Sequence, residues 1–131
     1  MTSLLTDIKK ALHAEFSDFT ILTQYDTEDK TPPCILIESE ATSERIKGNR
    51  TWDVQAKLSL IVNAHDWTEE QIQACTKQLV AYSQGFLITD LRLLPAQDYI
   101  LYSVLLDSVS APSVEDTLIV QSINLNILLQ Q

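Results

Sequence analysis

Trp52-Asp53-Val54-Gln55-Ala56-Lys57-Leu58-Ser59-Leu60-Ile61-Val62 decides how the chain is read. Trp52, Val54, Ala56, Leu58, Leu60 and Val62 are apolar, and Asp53, Gln55, Lys57 and Ser59 alternate with them, which is a strand with one buried face. Just upstream, Gly48-Asn49 is a two-residue signal for a tight β-hairpin, and residues 34–38 form a β-rich apolar run that supplies the partner strand. Placing Lys47 opposite Arg50 sets a register: Ile35 opposite Val62, Ile37 opposite Leu60, Ser39 opposite Leu58, Ala41 opposite Ala56, Ser43 opposite Val54 and Arg45 opposite Trp52. On the other face Glu40 then meets Lys57, a favourable pair, and Glu44 meets Asp53, an unfavourable one.

In extended form residues 34–47 span roughly 45 Å, more than twice a typical strand. One small domain does not cover that length, so residues 41–55 are expected to project as an arm covered by another molecule. The alternative is a bent or bulged strand folding back on its own core.

The chain has 131 residues, enough for one domain whose core needs no disulfide or metal. Nine Lys and Arg stand against 18 Asp and Glu, a formal charge of −9 that repels nucleic-acid phosphate and argues against a DNA-gripping surface. Cys34 and Cys75 sit in apolar faces and read as reduced core residues of a cytoplasmic protein, with a disulfide as the alternative. Neither a leader-like segment nor a membrane-length apolar run is present, so a soluble product with no membrane partner is expected.

In chain order, Thr2 or Ser3 can cap a first helix with Leu5, Ile8, Leu12 and Phe16 on one side. Residues 19–24 read as a short strand. Asp26, Thr27, Glu28, Asp29, Lys30 and Thr31 make a polar loop ended by Pro32-Pro33. After the hairpin, Asp66 with Glu69 or Thr68 with Gln71 can form a capping box for a second helix, which buries Ile72, Cys75, Leu79 and Tyr82. Gly85 stands where a left-handed helix stop is expected. Residues 86–94 are ambiguous, apolar but broken by Asp90 and Arg92 and followed by Pro95. Residues 100–109 are β-rich, Pro112-Ser113 and Glu115-Asp116 mark a turn, and the last strand alternates through Ile119, Ile123, Leu125 and Ile127. The expected fold is α+β: residues 1–131 as one two-layer sandwich, a mainly antiparallel sheet with two helices on one face and a long projecting β-hairpin. The far sheet face carries Leu36, Ile61, Leu118 and Leu128, a second greasy surface that suggests a partner.

No residue constellation spells out a chemistry. His13 and His65 lack zinc-like spacing with other ligands, and there is no serine elbow or phosphate-cradling glycine loop. Glu69-Glu70 and Glu115-Asp116 read as solvated acids of a helix start and a turn. No catalytic, cofactor or metal residue is assigned, and no enzyme is expected. The one charge asymmetry is a third of all bases, Arg45, Lys47 and Arg50, at the hairpin tip, against Asp98, Asp107, Glu115 and Asp116 with no base after Arg92. A basic arm on an acidic body is self-complementary head to tail, the geometry that closes into rings. A merely solvated basic turn and a DNA-gripping finger are the other readings of the same residues.

An amphipathic helix, a Pro-preceded strand (Pro33-Cys34-Ile35-Leu36-Ile37-Glu38), a polar turn with Gly48, a long alternating strand over residues 52–62, a second helix and two closing strands resemble, over nearly the whole chain, the tail terminator or tail-completion proteins of long-tailed bacteriophages. The resemblance implies a homohexameric ring that caps the head-proximal end of the tail tube, stops its polymerisation and docks the neck. Its partners would be further copies of itself, the tail tube protein and a neck or connector protein, with DNA only as a duplex passing through the lumen. Its place would be the virion tail or neck, and the host cytoplasm during assembly. Ser43, Arg45, Ile46, Lys47, Asn49, Arg50 and Trp52 are the candidate subunit-interface arm. A neck connector or stopper between portal and tail, or a small cytoplasmic adaptor or chaperone binding peptides at a sheet edge, are the alternatives.

Overall fold

The computed structural model describes residues 2–27, 29, 31–94 and 98–131, with the side chains of residues 2, 3, 41 and 46 outside that description. The expected caps Thr2 and Ser3, the loop residues Glu28 and Lys30, and Pro95 therefore fall wholly or in their side chains outside the described residues. The elements run α1 (Thr2–Glu15), β1 (Thr20–Thr23), β2 (Cys34–Ile46), β3 (Thr51–Asn63), α2 (Glu69–Gly85), α3 (Leu87–Leu93), β4 (Ile100–Val109), β5 (Ser113–Glu115) and β6 (Leu118–Gln130). The fold is an α+β two-layer sandwich. Its sheet has the order β1-β2-β3-β6-β4, with β5 also pairing β6, and every pairing is antiparallel except β1 with β2.

The alternating stretch lies at the centre of this sheet as β3. Val54, Ala56, Leu58, Leu60 and Val62 are buried on the helix-covered face beside Ile123, Leu125, Ile127 and Leu129 of β6. Leu5, Ile8, Leu12 and Phe16 of α1 and Ile72, Cys75, Leu79 and Tyr82 of α2 close over them, as their helical spacing requires. The box that opens α2 is the Thr68–Gln71 one: Thr68 Oγ1 accepts from the Gln71 N–H (3.2 Å) and Gln71 Oε1 from the Thr68 N–H (2.8 Å). Both cysteines are buried, and no disulfide joins them.

Several expectations are corrected. The hairpin exists, with two 13-residue strands, but it does not project as an arm. β6 pairs β3 in unbroken register from Thr51↔Gln130 to Asn63↔Leu118, so the chain covers most of the ribbon itself. The turn is a four-residue loop over residues 47–50, in which Gly48 (φ 89°) and Arg50 (φ 61°) take the left-handed conformation. The register holds at the tip, where Ile46 pairs Thr51, and drifts by two residues at the base, where Ile35 pairs Leu60 and Ile37 pairs Leu58. Irregularities between Ser39 and Ala41 and between Glu44 and Ile46 each insert one extra residue in β2. Two insertions preserve the alternation at the base, so Ile35 and Ile37 still point into the core. They also relieve the expected clash, since Glu44 comes opposite Trp52 and Arg45 is released to pair with Asp53.

The ambiguous segment forms a third helix, α3, on the same face. Gly85 is no left-handed stop; the chain breaks at Phe86 (φ −121°) and turns directly into α3. Tyr82 pins this corner, its hydroxyl donating to Asp90 Oδ2 (2.6 Å) and lying 3.4 Å from the Ala11 carbonyl. The far-face residues Leu36 and Ile61 are buried with Leu22 and Cys34 in a second cluster, flanked by half-buried Leu118 and Val120. That end of the far face is closed within the chain.

Across the β3–β6 seam, Ser59 and Ser122 are buried opposite each other with their hydroxyls 2.9 Å apart. Ser59→Ala strands the Ser122 hydroxyl and is expected to cost about 1–3 kcal/mol, whereas adding Ser122→Ala restores much of that loss. Urea unfolding of the two single variants and the double variant checks the pair.

Candidate interaction surfaces

The hairpin tip presents its side chains unequally. Arg45, freed by the second irregularity, grips Asp53 through two bonds, Nε to Oδ2 (3.1 Å) and Nη2 to Oδ1 (2.9 Å). Lys57 pairs Glu40 at 3.5 Å, as the sequence led us to expect. Ser43, Lys47, Asn49 and Arg50 are exposed, and neither Lys47 nor Arg50 makes an ion pair among the described residues. Asn49 Oδ1 accepts from the Thr51 N–H (2.9 Å) and Glu44 Oε1 from the Gly48 N–H (2.7 Å), so local bonds shape the loop. Trp52 is half-buried against the main core rather than turned outward. The Ile46 side chain lies outside the described residues.

At the opposite end of the sheet the charge reverses. The Ala64 N–H donates to the Thr117 carbonyl (2.8 Å), which joins the β3–α2 connection to the β5–β6 turn. Asp66, Glu69, Glu70, Glu115 and Asp116 are all exposed around that junction. The two ends of the sheet thus differ in charge: one offers Lys47 and Arg50 beside Glu44 and the paired Arg45 and Asp53, the other five exposed acids, and the length of a 13-residue strand, about 43 Å, separates them.

Both edges of the sheet are incompletely covered. β1 pairs only residues 34–37 of β2, and the Gln24 side chain takes the Ser39 N–H (2.8 Å). Beyond it, residues 40–46 pair with β3 alone. On the other side, β4 ends the sheet. The Arg92 guanidinium reaches the Leu101 carbonyl (2.8 Å) and stands 3.4 Å from that of Tyr102, blocking the start of the strand. No described group outside the sheet bonds the backbone of residues 103–109. This edge is also greasy. Of the eight exposed large apolar side chains among the described residues, Ile100, Tyr102, Leu105, Val109 and Val114 lie on β4 and β5, and Leu93 ends the adjoining α3.

An open groove of about 520 Å³ between α1 and β1 is lined by Thr6, Lys9, Lys10, His13, Phe19, Thr20 and Ile21. It brings no carboxylate or nucleophile to His13, and Lys9 is committed to Asp26 at 2.9 Å. His65 is exposed beside the β3–α2 connection. Burial pushes the Cys75 thiol up, away from the thiolate that nucleophilic chemistry needs. Burial and the Asp90 carboxylate likewise push the Tyr82 hydroxyl up. No cluster of three His, Cys, Asp or Glu able to hold a metal occurs among the described residues, and none of their helices is long and apolar enough to cross a membrane. Comparison with protein-family models and with curated proteins returned no match.

The basic tip was visible as a charge run in the sequence, but the acidic end was not: Asp66, Glu69 and Glu70 join Glu115 and Asp116 only through the fold, and Asp98, grouped with the acidic body, precedes Ile100 at the hairpin end of the sheet. The greasy edge was missed, because residues 100–109 read equally well as a buried strand until sheet order leaves one side of them uncovered.

Asp26 supplies a pH test of the α1–β1 corner. The Thr23 backbone N–H and then Lys9 hold its carboxyl below the ordinary value. A depressed carboxylate contributes stability that is fully present above the ordinary carboxylate range and lost as pH falls through its folded value. Asp26→Asn is therefore expected to lower the urea midpoint at neutral pH and to match the parent chain in strong acid. An equal deficit at both pH values would contradict this.

Proposed function

We propose that the chain is a non-enzymatic structural protein of a long-tailed phage virion. It acts as a tail terminator: a homomeric ring, six-membered by the likeness to that family, seated at the head-proximal end of the tail tube, where it ends polymerisation and joins the tube to the neck. One observation carries the assembly part of this reading: the sheet stops at two unlike uncovered edges on opposite sides, residues 40–46 and residues 103–109. A contact between like edges buries one kind and leaves the other open. A single kind of contact that buries both is head-to-tail, and its repetition closes into a ring when the rotation permits.

The virion assignment rests on the order of elements, which resembles the family's. The unlike ends of the sheet supply two chemically different ring faces, as a part standing between two different neighbours requires. The greasy β4 edge also suits a peptide-binding adaptor, which would keep that edge open in a monomer.

Mass measurement by light scattering at micromolar concentration tests the ring. A closed oligomer is expected, and a monodisperse monomer overturns the reading and favours the adaptor. Lys47→Glu combined with Arg50→Glu, which lie at one ring face, is expected to leave the mass of the ring unchanged and to weaken docking on that face, with a smaller effect at high salt.

A further inference from the structure

We propose that neighbouring copies join by strand addition, with residues 40–46 of one copy running antiparallel to residues 103–109 of the next, so that the sheet continues across each subunit boundary. This rests on the ring reading above and specifies its joint. Strand direction alternates along β2-β3-β6-β4, so β2 and β4 of one copy run in opposite senses. A rotation about an axis roughly parallel to the strands keeps those senses. The β2 of one copy therefore arrives antiparallel to the β4 of the next, and the ladder can continue in the geometry used within the subunit.

The two edges also match in extent. Each offers a stretch with no outer partner, bounded on β2 by the Gln24–Ser39 bond and on β4 by the Arg92 side chain. Within a subunit Ser43 lies level with Asp53, Leu128 and Ser103. Complete overlap of the two stretches places residue 46, which lies level with Thr51, Gln130 and Ile100, opposite Ser103, a stagger of two ladder rungs, or about 7 Å. Closing a sheet requires a stagger of this kind. It also moves Asp107 off the level of Glu38 and Ser39, towards the hairpin tip.

Apolar exposure points to this partner as well. Leu105, 60% exposed, and Val109, 44% exposed, flank the open backbone of β4. An edge of that character in a monomer invites pairing unless something covers it. Two-fold pairing of β4 with itself would bring Asp107 towards its own copy and leave residues 40–46 bare.

Leu105→Cys is combined in turn with Thr42→Cys, Ser43→Cys and Glu44→Cys, all at positions on the two edges, and the purified assemblies are oxidised. The natural Cys34 and Cys75 are buried. At least one combination is expected to yield a ladder of covalent multimers up to the full ring on denaturing gels, whereas each single variant yields dimers at most. Rings of unchanged mass with no ladder from any combination overturn strand addition and leave the ring standing. Dimers from Leu105→Cys alone, as abundant as any product of the pairs, overturn it in favour of two-fold β4 pairing. If the parent chain is a monomer, the ring reading itself has failed. Thr42→Pro, which removes an edge N–H, and Leu105→Lys serve as a second measurement: both are expected to give folded monomers by circular dichroism and mass. Intact rings from both variants count against the joint.

Discussion

The unbroken ladder between β3 and β6 is the constraint on which the rest of the structure depends. Thirteen successive residue pairs keep one register, so every second residue of both strands stays on the helix-covered face for the whole length of the sheet. A slip of β6 by one residue would carry Ile123 and Ile127 to the opposite face while Val54 and Leu58 stayed, which makes the register costly to change. The buried Ser59–Ser122 pair reinforces it, since both hydroxyls lose their partner if the strands slide. The flanking strands adapt to this pair. β2 and β4 each carry two irregularities against their inner neighbours, and each inserts a residue on the outer strand. Such insertions increase local twist, and they let long outer strands follow a regular centre.

Much of this was legible in the residues. The strict alternation over residues 52–62 located the central strand, and helical spacing located α1 and the buried face of α2. One of two possible capping boxes proved to be the true one. The base of the hairpin was misplaced because an inserted residue has no compositional signature: Glu40 and Arg45 look like ordinary members of an alternating strand. What distinguishes them is the partner each reaches, Lys57 and Asp53, and that emerges only with the pairing in place. α3 was obscured for a related reason. Asp90 and Arg92 interrupt an apolar run and read as breaks, yet one accepts from Tyr82 and the other covers the start of β4. Both are the polar side of a short helix.

Sheet order was the largest quantity that periodicity could not supply. The length of the hairpin suggested that something must cover it, and something does: the last strand of the same chain lies along β3. That removes the free arm from the picture and moves the exposed surface elsewhere. Only one side of distal β2 remains open, and the second open edge falls on β4, whose apolar residues gave no sign in the sequence of facing outward. Candidate residues at the tip divide accordingly. Lys47 and Arg50 are exposed and without ion pairs, Arg45 is spent on Asp53, and Trp52 belongs to the core.

In the ring proposed above, the layering of the fold decides which face turns inward. All three described helices lie on one side of the sheet, and a layer of helices needs more circumference than the strands it covers. The sheet therefore curves with its helices outside and its helix-free face towards the lumen. That face carries Gln55, Asn124 and Asn126, the pairs Lys57 with Glu40 and Arg45 with Asp53, the exposed Leu105 level with Asn126, and the buried cluster of Leu22, Cys34, Leu36 and Ile61. A wall of amides, apolar side chains and neutralised pairs offers a phosphate backbone few bases to bind, and affinity for duplex DNA comes mainly from such bases. Lined in this way, the passage of the proposed ring would contain a duplex without holding it.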